Sequence, residues 1–351
     1  MIGLVKYGTG PHETELREIP VPETGDDDIL LEVKAAGICG ADIAWDDGLM
    51  PEKLNCPVVL GHEFAGQIAE VGKNITRWKV GDRVVSDGAA DVCGVCDNCA
   101  NSQFHICAKR ISMGYNVDGG FARYVKIHAR ALARIPNTLM LLPDTVSFEE
   151  AAILEPTANA YKALCDDSKV KPGEDVVIFG AGPQGILSVI MAKLKGCGKI
   201  IAVGLEIDKA RLEKAKEVGA NYTLVADKQD VPAEVDRITK GKKVPLVVDC
   251  AGSNRVLPLA MKMVKPNGEI VKVGFDAQPY NGSLDLIVDH AITVQGHYGS
   301  EAHDWLNCIN LLALGKLNLE PIISHRLTLE NWKEGFRLIR GRQAIKIVFL
   351  L

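Results

Sequence analysis

Four of the ten cysteines lie within fifteen residues, as Cys93, Cys96, Cys99 and Cys107 in the spacing C-x2-C-x2-C-x7-C. Thiolates clustered in this way suit a tetrahedral zinc ion that takes all four ligands from the protein and leaves no position for a substrate. The bacterial iron–sulfur run C-x2-C-x2-C-x3-C-P differs in its shorter last gap and its final proline, where this chain has Ala108. We therefore expect a structural zinc lobe at about residues 88–108. An iron–sulfur cluster and a disulfide-bonded or metal-free loop are the alternatives.

A second set of potential metal ligands is scattered along the chain. It comprises Gly61-His62-Glu63, Gly37-Ile38-Cys39-Gly40-Ala41-Asp42 and Leu154-Glu155-Pro156. Taken singly, each is weak evidence, because a lone histidine in apolar surroundings is usually a core residue and a buried cysteine is usually inert. A catalytic zinc needs about three protein ligands and one open position, and these segments together could supply them.

A glycine-rich motif follows a short apolar run. Val176–Phe179 is a continuous apolar stretch, typical of a parallel strand buried on both faces, and Gly180-Ala181-Gly182-Pro183-Gln184-Gly185 comes next. In a dinucleotide-binding turn, Gly180 would make the tight turn, Gly182 would let the backbone approach a pyrophosphate, and Gly185 would let the helix pack on the strand. The helix N-terminus would supply N–H donors to the phosphates. The alternative is a glycine-rich turn without a ligand.

The residue expected to select the dinucleotide is Glu206, which lies at the end of the next predicted strand. A carboxylate at that position can accept both ribose hydroxyls of an adenosine and repel a 2′-phosphate, which favours NAD over NADP. Arg211 is a second candidate cofactor-binding residue, since it and Lys209 could bind a phosphate. The competing interpretation places both on the solvated face of the following helix.

Composition and charge set outer bounds on the function. A chain of 351 residues predicts two domains, and 47% hydrophobic with 24% charged residues is ordinary globular composition. The net charge of −5 predicts no nucleic-acid partner. The N-terminus lacks a signal-peptide pattern, and the most apolar stretch, 176–192, is interrupted by glycines, so we expect neither secretion nor a membrane span. Many cysteines without a secretion signal favour reduced thiols and a cytoplasmic location.

The hydrophobic pattern changes along the chain. Short apolar runs among Gly, Pro and Asp clusters predict a β-rich region over the first 150 residues. From residue 176 strands alternate with helices, which predicts an α/β doubly wound parallel sheet. The expected strands are 176–179, 199–205, 244–250 and 269–274, and the expected helices between them are 184–195 and 209–218. A helix at 305–314 and a strand at 344–351 are expected to follow.

With these motifs in view, the chain resembles the zinc-containing medium-chain alcohol dehydrogenases over essentially its whole length, most closely the sorbitol (polyol) and threonine dehydrogenase branches. In that family the Cys of G-I-C-G-x-D and the His of G-H-E bind a catalytic zinc, which implies Cys39 and His62. The Glu of G-H-E is a ligand or near-ligand in the polyol branch, which implies Glu63. That branch also has Glu-Pro where liver-type enzymes have a second Cys, which implies Glu155. Whether Glu63 or Glu155 is the third ligand stays open.

Further properties follow from the resemblance. Asp42 is implied to hold the zinc-bound histidine, and the four-cysteine lobe matches the family's structural zinc loop. The implied architecture is a GroES-like β-barrel catalytic domain from residues 1–155 and 293–351, and a Rossmann NAD-binding domain from residues 156–292. Homo-oligomers, tetramers or dimers, are implied, with strand 269–273 as an edge for sheet continuation between subunits.

This sequence departs from the family where protons are usually relayed. Relatives have Ser or Thr two residues after the zinc-binding Cys and often His three residues later, whereas this chain has Ala41 and Ala44. Three interpretations stay open: a path through water and a carboxylate (Glu155, Asp46 or Asp47), a path through the ribose hydroxyls and a distant histidine, or a reaction that needs little proton assistance.

The substrate pocket is less well defined by the sequence. Trp45, Asp46 and Asp47 could line it or form a surface loop. His297 could bind substrate or simply pack, and Ser300 stands where relatives have an arginine.

The leading hypothesis is an NAD-dependent zinc enzyme that oxidises a secondary hydroxyl of a polyol, cyclitol or sugar derivative to a ketone. A threonine-like amino-alcohol 3-dehydrogenase is the alternative within the same class. A nucleotide-binding protein that has lost its catalytic metal is the alternative outside it.

Overall fold

The computed structural model describes residues 1–276 and 278–351. The chain divides into a first unit of Met1–Glu155 with Glu301–Leu351 and a second unit of Pro156–Ser300. Its strands are β1 (Ile2–Lys6), β2 (Thr14–Glu18), β3 (Ile29–Gly37), β4 (Val58–Val59), β5 (Glu63–Val71), β6 (Arg83–Ser86), β7 (Ala89–Asp91), β8 (Ile111–Ser112), β9 (Tyr124–Ile127), β10 (Leu139–Leu141), β11 (Val176–Phe179), β12 (Ile200–Gly204), β13 (Tyr222–Val225), β14 (Val244–Asp249), β15 (Val264–Lys272), β16 (Thr293–Gly296), β17 (Ile323–Thr328) and β18 (Lys346–Leu350).

The helices are mostly short. They are α1 (Gly40–Asp46), α2 (Asp97–Ala100), α3 (Ala129–Arg134), α4 (Phe148–Ala152), α5 (Leu154–Cys165), α6 (Pro183–Leu194), α7 (Lys209–Val218), α8 (Val231–Thr239), α9 (Val256–Met263), α10 (Asp285–Asp289), α11 (Ala302–Ala313) and α12 (Trp332–Arg340). In the part of the chain that the structure describes, none of them is long and apolar enough to cross a membrane.

The first unit is built on a sheet with the strand order β10-β6-β5-β3-β18-β17, in which β9 also pairs with β3. β3 and β5 are antiparallel and place Gly37 opposite Glu63, while β18 is antiparallel to β3 and places Val348 opposite Gly37. The C-terminal end of β3 therefore meets the N-terminal ends of both neighbours. Residues far apart in the sequence converge at that end of the sheet.

The core of the first unit lies against these strands. The side chains of Ile29, Leu31 and Val33 are inaccessible to solvent, and Phe64 and Phe349 belong to the same apolar cluster. Alternating residues of a strand point to the same face, so this pattern commits one face of β3 to the core. A slip of one residue would expose the whole apolar row, which is why the register is well defined.

The second unit contains a parallel sheet in the order β13-β12-β11-β14-β15-β16. Every residue of β11 and β12 is buried, as expected for parallel strands that are covered on both faces. β11 connects to its parallel neighbour β12 through α6, a type of crossover that is right-handed in nearly all proteins, and the strand order matches a doubly wound dinucleotide-binding fold.

One expectation about the edge of this sheet is wrong. Strand 269–273 does not lie at the edge, because β15 pairs with β14 on one side and with β16 on the other. The outer strand is β16, all of whose residues are exposed. The pairing of β16 with β15 groups residues 293–300 with the second unit, and the first unit resumes at Glu301. The pairing of Thr293–Gly296 with β15 could not be read from its short, half-polar sequence.

The turn between β11 and α6 shows why glycine is needed at two of its positions. Gly180 has a φ of +97°, and a Cβ on it would lie 2.8 Å from the carbonyl carbon of Cys250. A Cβ on Gly185 would lie 1.7 Å from the carbonyl oxygen of Gly180. By contrast, a Cβ on Gly182 would meet no atom within 4 Å, and its φ of −75° is ordinary. Gly182 is thus dispensable for packing.

We predict that Gly185→Ala destabilises the second unit by about 1–3 kcal/mol, because α6 must shift away from the turn. Gly182→Ala is the matched control and should leave the unfolding midpoint within the error of measurement. Urea unfolding followed by circular dichroism checks both variants. Equal stability of the two would contradict the packing role assigned to Gly185.

Candidate active site

Three potential metal ligands converge at the end of the main sheet of the first unit. Cys39 follows β3 and is the N-cap of α1, while His62 and Glu63 stand at the start of β5. One ligand atom from each residue lies within 4.8 Å of the others. The antiparallel pairing of β3 with β5 is what brings them together, because it sets the end of one strand beside the start of the other.

A buried lysine that the sequence analysis missed completes this cluster. The Nζ of Lys346 donates to Glu63 Oε1 at 2.6 Å and to the carbonyl oxygen of Ile38 at 2.9 Å, and it also contacts Glu63 Oε2. The Lys346 side chain is 2% exposed and that of Glu63 is inaccessible. Burial opposes the charged form of Lys346, but the charges of Glu63 and Cys39 outweigh burial and raise its pKa. In the sequence, the one indication of this buried ion pair is a single lysine at the first position of an otherwise apolar strand, Lys346–Leu350.

Asp42 lies behind the histidine. Its Oδ1 is 3.6 Å from His62 Nδ1, and its Oδ2 accepts a hydrogen bond from the backbone N–H of Cys39 at 2.8 Å. Burial raises the pKa of Asp42 to about 6, although His62 lowers it. Burial would lower the pKa of His62, but the charges of Cys39 and Asp42 raise it well above its usual value. With Nδ1 turned towards Asp42, Nε2 is the ring nitrogen left for a ligand on the other side.

The charge balance of the cluster fits a metal ion. Two carboxyl groups, Asp42 and Glu63, are held out of water beside the half-buried thiol of Cys39, with Lys346 as the compensating cation. Asp42 Oδ1 and His62 Nδ1 are buried without a hydrogen-bond partner among the described residues. Buried anions are costly unless they are paired or coordinate a metal. One sulfur, one imidazole nitrogen and one carboxylate oxygen form a donor set that zinc accepts.

Glu155 lies in the first turn of α5 and is half-buried. It is not part of the group of three ligands whose atoms lie within 4.8 Å, but its charge acts on the ammonium of Lys346. The structure therefore brings Cys39, His62 and Glu63 closest together and places Glu155 within electrostatic reach of the same cluster.

The four-cysteine lobe has the geometry of a tetrahedral site. The Sγ–Sγ distances are 3.8 Å for Cys93–Cys99, 4.0 Å for Cys96–Cys107 and 3.6 Å for Cys93–Cys107. A zinc–sulfur bond of about 2.3 Å in tetrahedral geometry requires sulfurs about 3.8 Å apart. None of the ten cysteines forms a disulfide bond in this structure, and the four sulfurs of the lobe instead lie at distances that suit a shared metal ion.

Local hydrogen bonds support thiolates in this lobe. The backbone N–H groups of Val95 and Cys96 lower the pKa of Cys93 to about 6. Arg134 donates to the carbonyl oxygen of Val92 at 2.7 Å and to Asp91 at 2.8 Å, which fastens α3 to the base of the lobe. A thiolate is the form of cysteine that binds metals.

The glycine-rich turn has the expected strand–turn–helix context, and Pro183 occupies the first position of α6. The side-chain amide of Gln184, predicted to bind cofactor, instead donates to the carbonyl oxygen of Pro156 at 3.2 Å and accepts from the N–H of Ala160 at 3.0 Å. It therefore ties α6 to α5. Its backbone N–H remains part of the helix N-terminus.

Glu206 follows β12 and is exposed, and its backbone N–H donates to Asp227 at 2.8 Å. Arg211 is a candidate cofactor-binding residue, and the competing interpretation places it on the solvated face of α7. Its side chain is 11% exposed and lies 3.7 Å from the carboxylate of Asp208. Lys209 is exposed, as expected. Arg211 thus stabilises the start of α7, where a neighbouring acid compensates its charge.

Two of the carboxylates considered for proton transfer are engaged elsewhere. Arg340 of α12 contacts Asp46 and lies 2.7 Å from Asp47, and His12 Nδ1 lies 3.3 Å from Asp46. Burial would raise the pKa of Asp46, but these partners lower it. The two aspartates fasten α1 to α12. Of the three carboxylates, Glu155 is the one whose charge acts on Lys346 beside the potential metal ligands.

The other predicted pocket residues separate into two groups. Trp45 is buried in the first unit and its ring packs against those of His62 and Tyr115, with centroid distances of 5.7 and 4.8 Å. His297 belongs to the second unit, where its Nδ1 lies 2.6 Å from Asp167. Its buried position in a hydrogen-bonded pair agrees with the packing alternative.

Comparison with known proteins places this chain in a family. The family profile described as alcohol dehydrogenase GroES-like domain matches residues 25–137, and the one described as zinc-binding dehydrogenase matches residues 183–313. An uncharacterized zinc-type alcohol dehydrogenase-like protein of Escherichia coli K12 is 38% identical over 99% of this chain and 98% of its own length. A sorbitol dehydrogenase of Halalkalibacterium halodurans is 34% identical over the same shares. An L-threonine 3-dehydrogenase of Bacillus velezensis is 33% identical over 95% of this chain and 94% of its own.

Solved structures agree with these relatives. The 2R,3R-butanediol dehydrogenase of Bacillus subtilis is 27% identical, has a TM-score of 0.88 and is matched over 100% of both chains. A short chain alcohol dehydrogenase of E. coli CFT073, complexed with NADH, is 25% identical and has a TM-score of 0.88. A zinc-binding dehydrogenase of Sinorhizobium meliloti 1021, bound to NADP, is 26% identical and has a TM-score of 0.89. Each is matched over 100% of this chain and 99% of its own.

The predicted fold class, a GroES-like domain combined with a doubly wound parallel-sheet domain, is thereby confirmed. So is the predicted class of enzyme. The chain has a four-sulfur lobe, a second cluster of side chains that can bind zinc, and a glycine-rich turn between strand and helix, and its relatives match it over nearly its whole length. It therefore belongs to the zinc-type medium-chain alcohol dehydrogenases.

Proposed function

We propose that this enzyme oxidises a secondary alcohol group of a polyol, cyclitol or sugar derivative to a ketone: the carbinol carbon gives a hydride to NAD, forming NADH, and the hydroxyl group releases its proton. The observation that carries the proposal is the convergence of Cys39, His62 and Glu63, whose ligand atoms lie within 4.8 Å of one another. Zinc held by these residues would supply Lewis-acid chemistry, which lowers the pKa of a hydroxyl group. The sorbitol dehydrogenase among the relatives supports a polyol substrate.

The residues around the ligands divide the remaining work. Lys346 holds the Glu63 carboxylate in place and keeps its charge compensated. Asp42 turns the His62 ring so that one nitrogen faces inwards, as carboxylates commonly do for histidines that bind metals. Glu155 is the proposed acceptor for the substrate proton, because Ala41 and Ala44 cannot accept one and Arg340 engages Asp46 and Asp47.

The donor set also bears on the substrate. A site with one thiolate and one or two carboxylates is harder than one with two thiolates, so it should favour substrates rich in oxygen. The alternative is a threonine-like amino-alcohol 3-dehydrogenase, which the L-threonine 3-dehydrogenase relative supports.

We expect sorbitol, galactitol, D-arabitol or myo-inositol to be oxidised with NAD and L-threonine to be oxidised weakly or not at all. Absorbance of the reduced nicotinamide at fixed enzyme concentration measures each rate. His62→Ala is the matched control and should lower kcat/KM by about a thousand-fold or more, because the cluster loses a ligand. Turnover of L-threonine with no polyol would establish the alternative function.

Two zinc ions per chain are expected, one in each cluster, in protein purified without chelators. Cys96→Ser should bind about one zinc and unfold at a temperature roughly 5 °C or more lower, since a structural zinc contributes directly to folding. His62→Ala should also bind about one zinc but keep a thermal midpoint closer to that of the wild type. Elemental analysis and differential scanning calorimetry check these expectations. Iron in place of zinc in the four-cysteine lobe would contradict the assignment.

The NAD preference is assigned to the exposed carboxylate of Glu206. Glu206→Ala should raise KM for NAD about ten-fold, because hydrogen bonds to the ribose hydroxyls are lost. It should also reduce the preference for NAD over NADP, because the carboxylate no longer repels a 2′-phosphate. Lys209→Ala is the neighbouring exposed control and should leave KM for NAD unchanged. Initial rates with both dinucleotides measure the effect. A wild-type enzyme that prefers NADP and loses that preference in Lys209→Ala would reverse the assignment.

We propose the cytoplasm as the location, because four cysteines grouped as metal ligands suit a reducing compartment. The proposed quaternary state is a homo-oligomer, a tetramer or a dimer. Light scattering of the purified chain determines it.

A further inference from the structure

An ion pair joins the carboxyl ends of two neighbouring strands in the second unit. Asp249 is the last residue of β14 and Lys272 is the last residue of β15, and the two are partners in the parallel register. The Nζ of Lys272 lies 3.0 Å from Asp249 Oδ2. The side chain of Asp249 is 2% exposed and that of Lys272 is 25% exposed, so the carboxylate is enclosed while the lysine reaches the surface.

The same carboxylate organises the backbone beside the glycine-rich turn. Asp249 Oδ1 accepts a hydrogen bond from the backbone N–H of Ala251 at 3.0 Å. Between these two residues, the backbone N–H of Cys250 donates to the carbonyl oxygen of Phe179 at 2.8 Å. A Cβ on Gly180 would lie 2.8 Å from the carbonyl carbon of Cys250 and 2.9 Å from the nitrogen of Ala251. The segment that Asp249 holds in place therefore lies directly against the first glycine of the turn.

The strand order relates this ion pair to one half of a bound dinucleotide. Glu206, the proposed partner of the adenosine ribose, follows β12, and the glycine-rich turn follows β11. The next strands in the sheet are β14 and then β15. A dinucleotide in this kind of fold extends across the carboxyl ends of the strands. With its adenosine at β12 and its pyrophosphate at β11, we expect its nicotinamide half at the ends of β14 and β15.

A fixed charge at this place acts differently on the two oxidation states of the cofactor. The oxidised nicotinamide ring is a cation and the reduced ring is neutral. Burial raises the pKa of Asp249 and the ammonium of Lys272 opposes that rise, so the pair lies where water screens charges poorly. A further carboxylate, that of Asp276, accepts the backbone N–H groups of Asn254 and Gln278 at 2.6 and 2.9 Å.

We propose that the ion pair of Asp249 and Lys272 sets the relative affinity of the enzyme for the oxidised and the reduced dinucleotide. While both partners are present, their charges compensate each other beside the nicotinamide half, and neither oxidation state is strongly favoured. Loss of one partner leaves a net charge that attracts or repels the cationic ring. The inference rests on the proposed function, whose cofactor site it extends to these two residues.

The test measures dissociation constants and does not require turnover. Fluorescence titration gives Kd for NADH, and displacement of NADH by NAD gives Kd for NAD. Asp249→Asn keeps an oxygen that can accept from Ala251 but leaves the ammonium of Lys272 uncompensated. It should therefore raise the ratio of Kd for NAD to Kd for NADH about three- to ten-fold. The double variant Asp249→Asn/Lys272→Met lacks both charges and should return this ratio to within about two-fold of the wild-type value.

A control variant makes the same change of charge at the opposite end of the sheet. Glu174 precedes β11, and its carboxylate lies 3.2 Å from the Nζ of Lys265. Glu174→Gln should leave the ratio of the two dissociation constants unchanged. A purely structural defect in Asp249→Asn would weaken the binding of NAD and NADH alike, and it would cancel in the ratio.

The outcomes separate this inference from the proposed function. The role of the ion pair is overturned by an unchanged ratio in Asp249→Asn, by a ratio that stays raised in the double variant, or by an equal change in Glu174→Gln. In each of these cases both dinucleotides still bind, and the dehydrogenase function stands. A wild-type protein that binds neither dinucleotide overturns the proposed function, and this inference with it.

Discussion

The site depends on a buried ion pair between Glu63 and Lys346 at the place where three strands of one sheet meet. Both side chains are almost completely inaccessible, so their charges are removed from water and must compensate each other. Such a pair is costly to assemble, and breaking it by removing one partner typically costs about 3–5 kcal/mol. The ammonium of Lys346 also donates a hydrogen bond to the carbonyl oxygen of Ile38, one residue before Cys39, and this bond offsets part of the cost of burying the pair. A single ammonium thus links all three strand ends.

This arrangement explains how acidic groups can be concentrated beside a candidate metal site. Burial raises the pKa of Asp42, to which the charge of Glu63 adds, and the charges of Cys39 and Asp42 raise the pKa of His62 well above its usual value in spite of burial. A divalent cation bound at this place would compensate the negative charges that the protonated His62 compensates when no cation is bound. The four-cysteine lobe follows different physics, because its ligands are neighbours in the chain and local N–H groups stabilise the thiolate of Cys93.

In the second unit, the proposed nucleotide site depends on the conformation of the backbone rather than on a cluster of charged side chains. Its nucleotide turn depends on close approach at Gly180 and Gly185, whereas the charged residues that follow are largely occupied with each other. Arg211 lies beside Asp208, and the side-chain amide of Gln184 ties two helices together. Their roles in cofactor binding stay predictions, as does the binding of phosphate by backbone N–H groups at the start of α6, which is the usual means at a helix N-terminus.

The sequence by itself determined the features whose parts are close together in the chain. The cysteine lobe, the glycine turn and the alternation of buried strands with helices depend on local spacing, and local spacing can be read directly. Cys39, His62 and Glu63 were identified through resemblance, because nothing in their own neighbourhoods shows that they meet. Only the tertiary structure decided the rest: that Lys346 pairs with Glu63 across 283 residues, that Tyr115 packs on Trp45, and that Thr293–Gly296 is the outer strand. The pairing of strands sets these contacts, and a residue's own sequence surroundings do not reveal which strand will lie beside it.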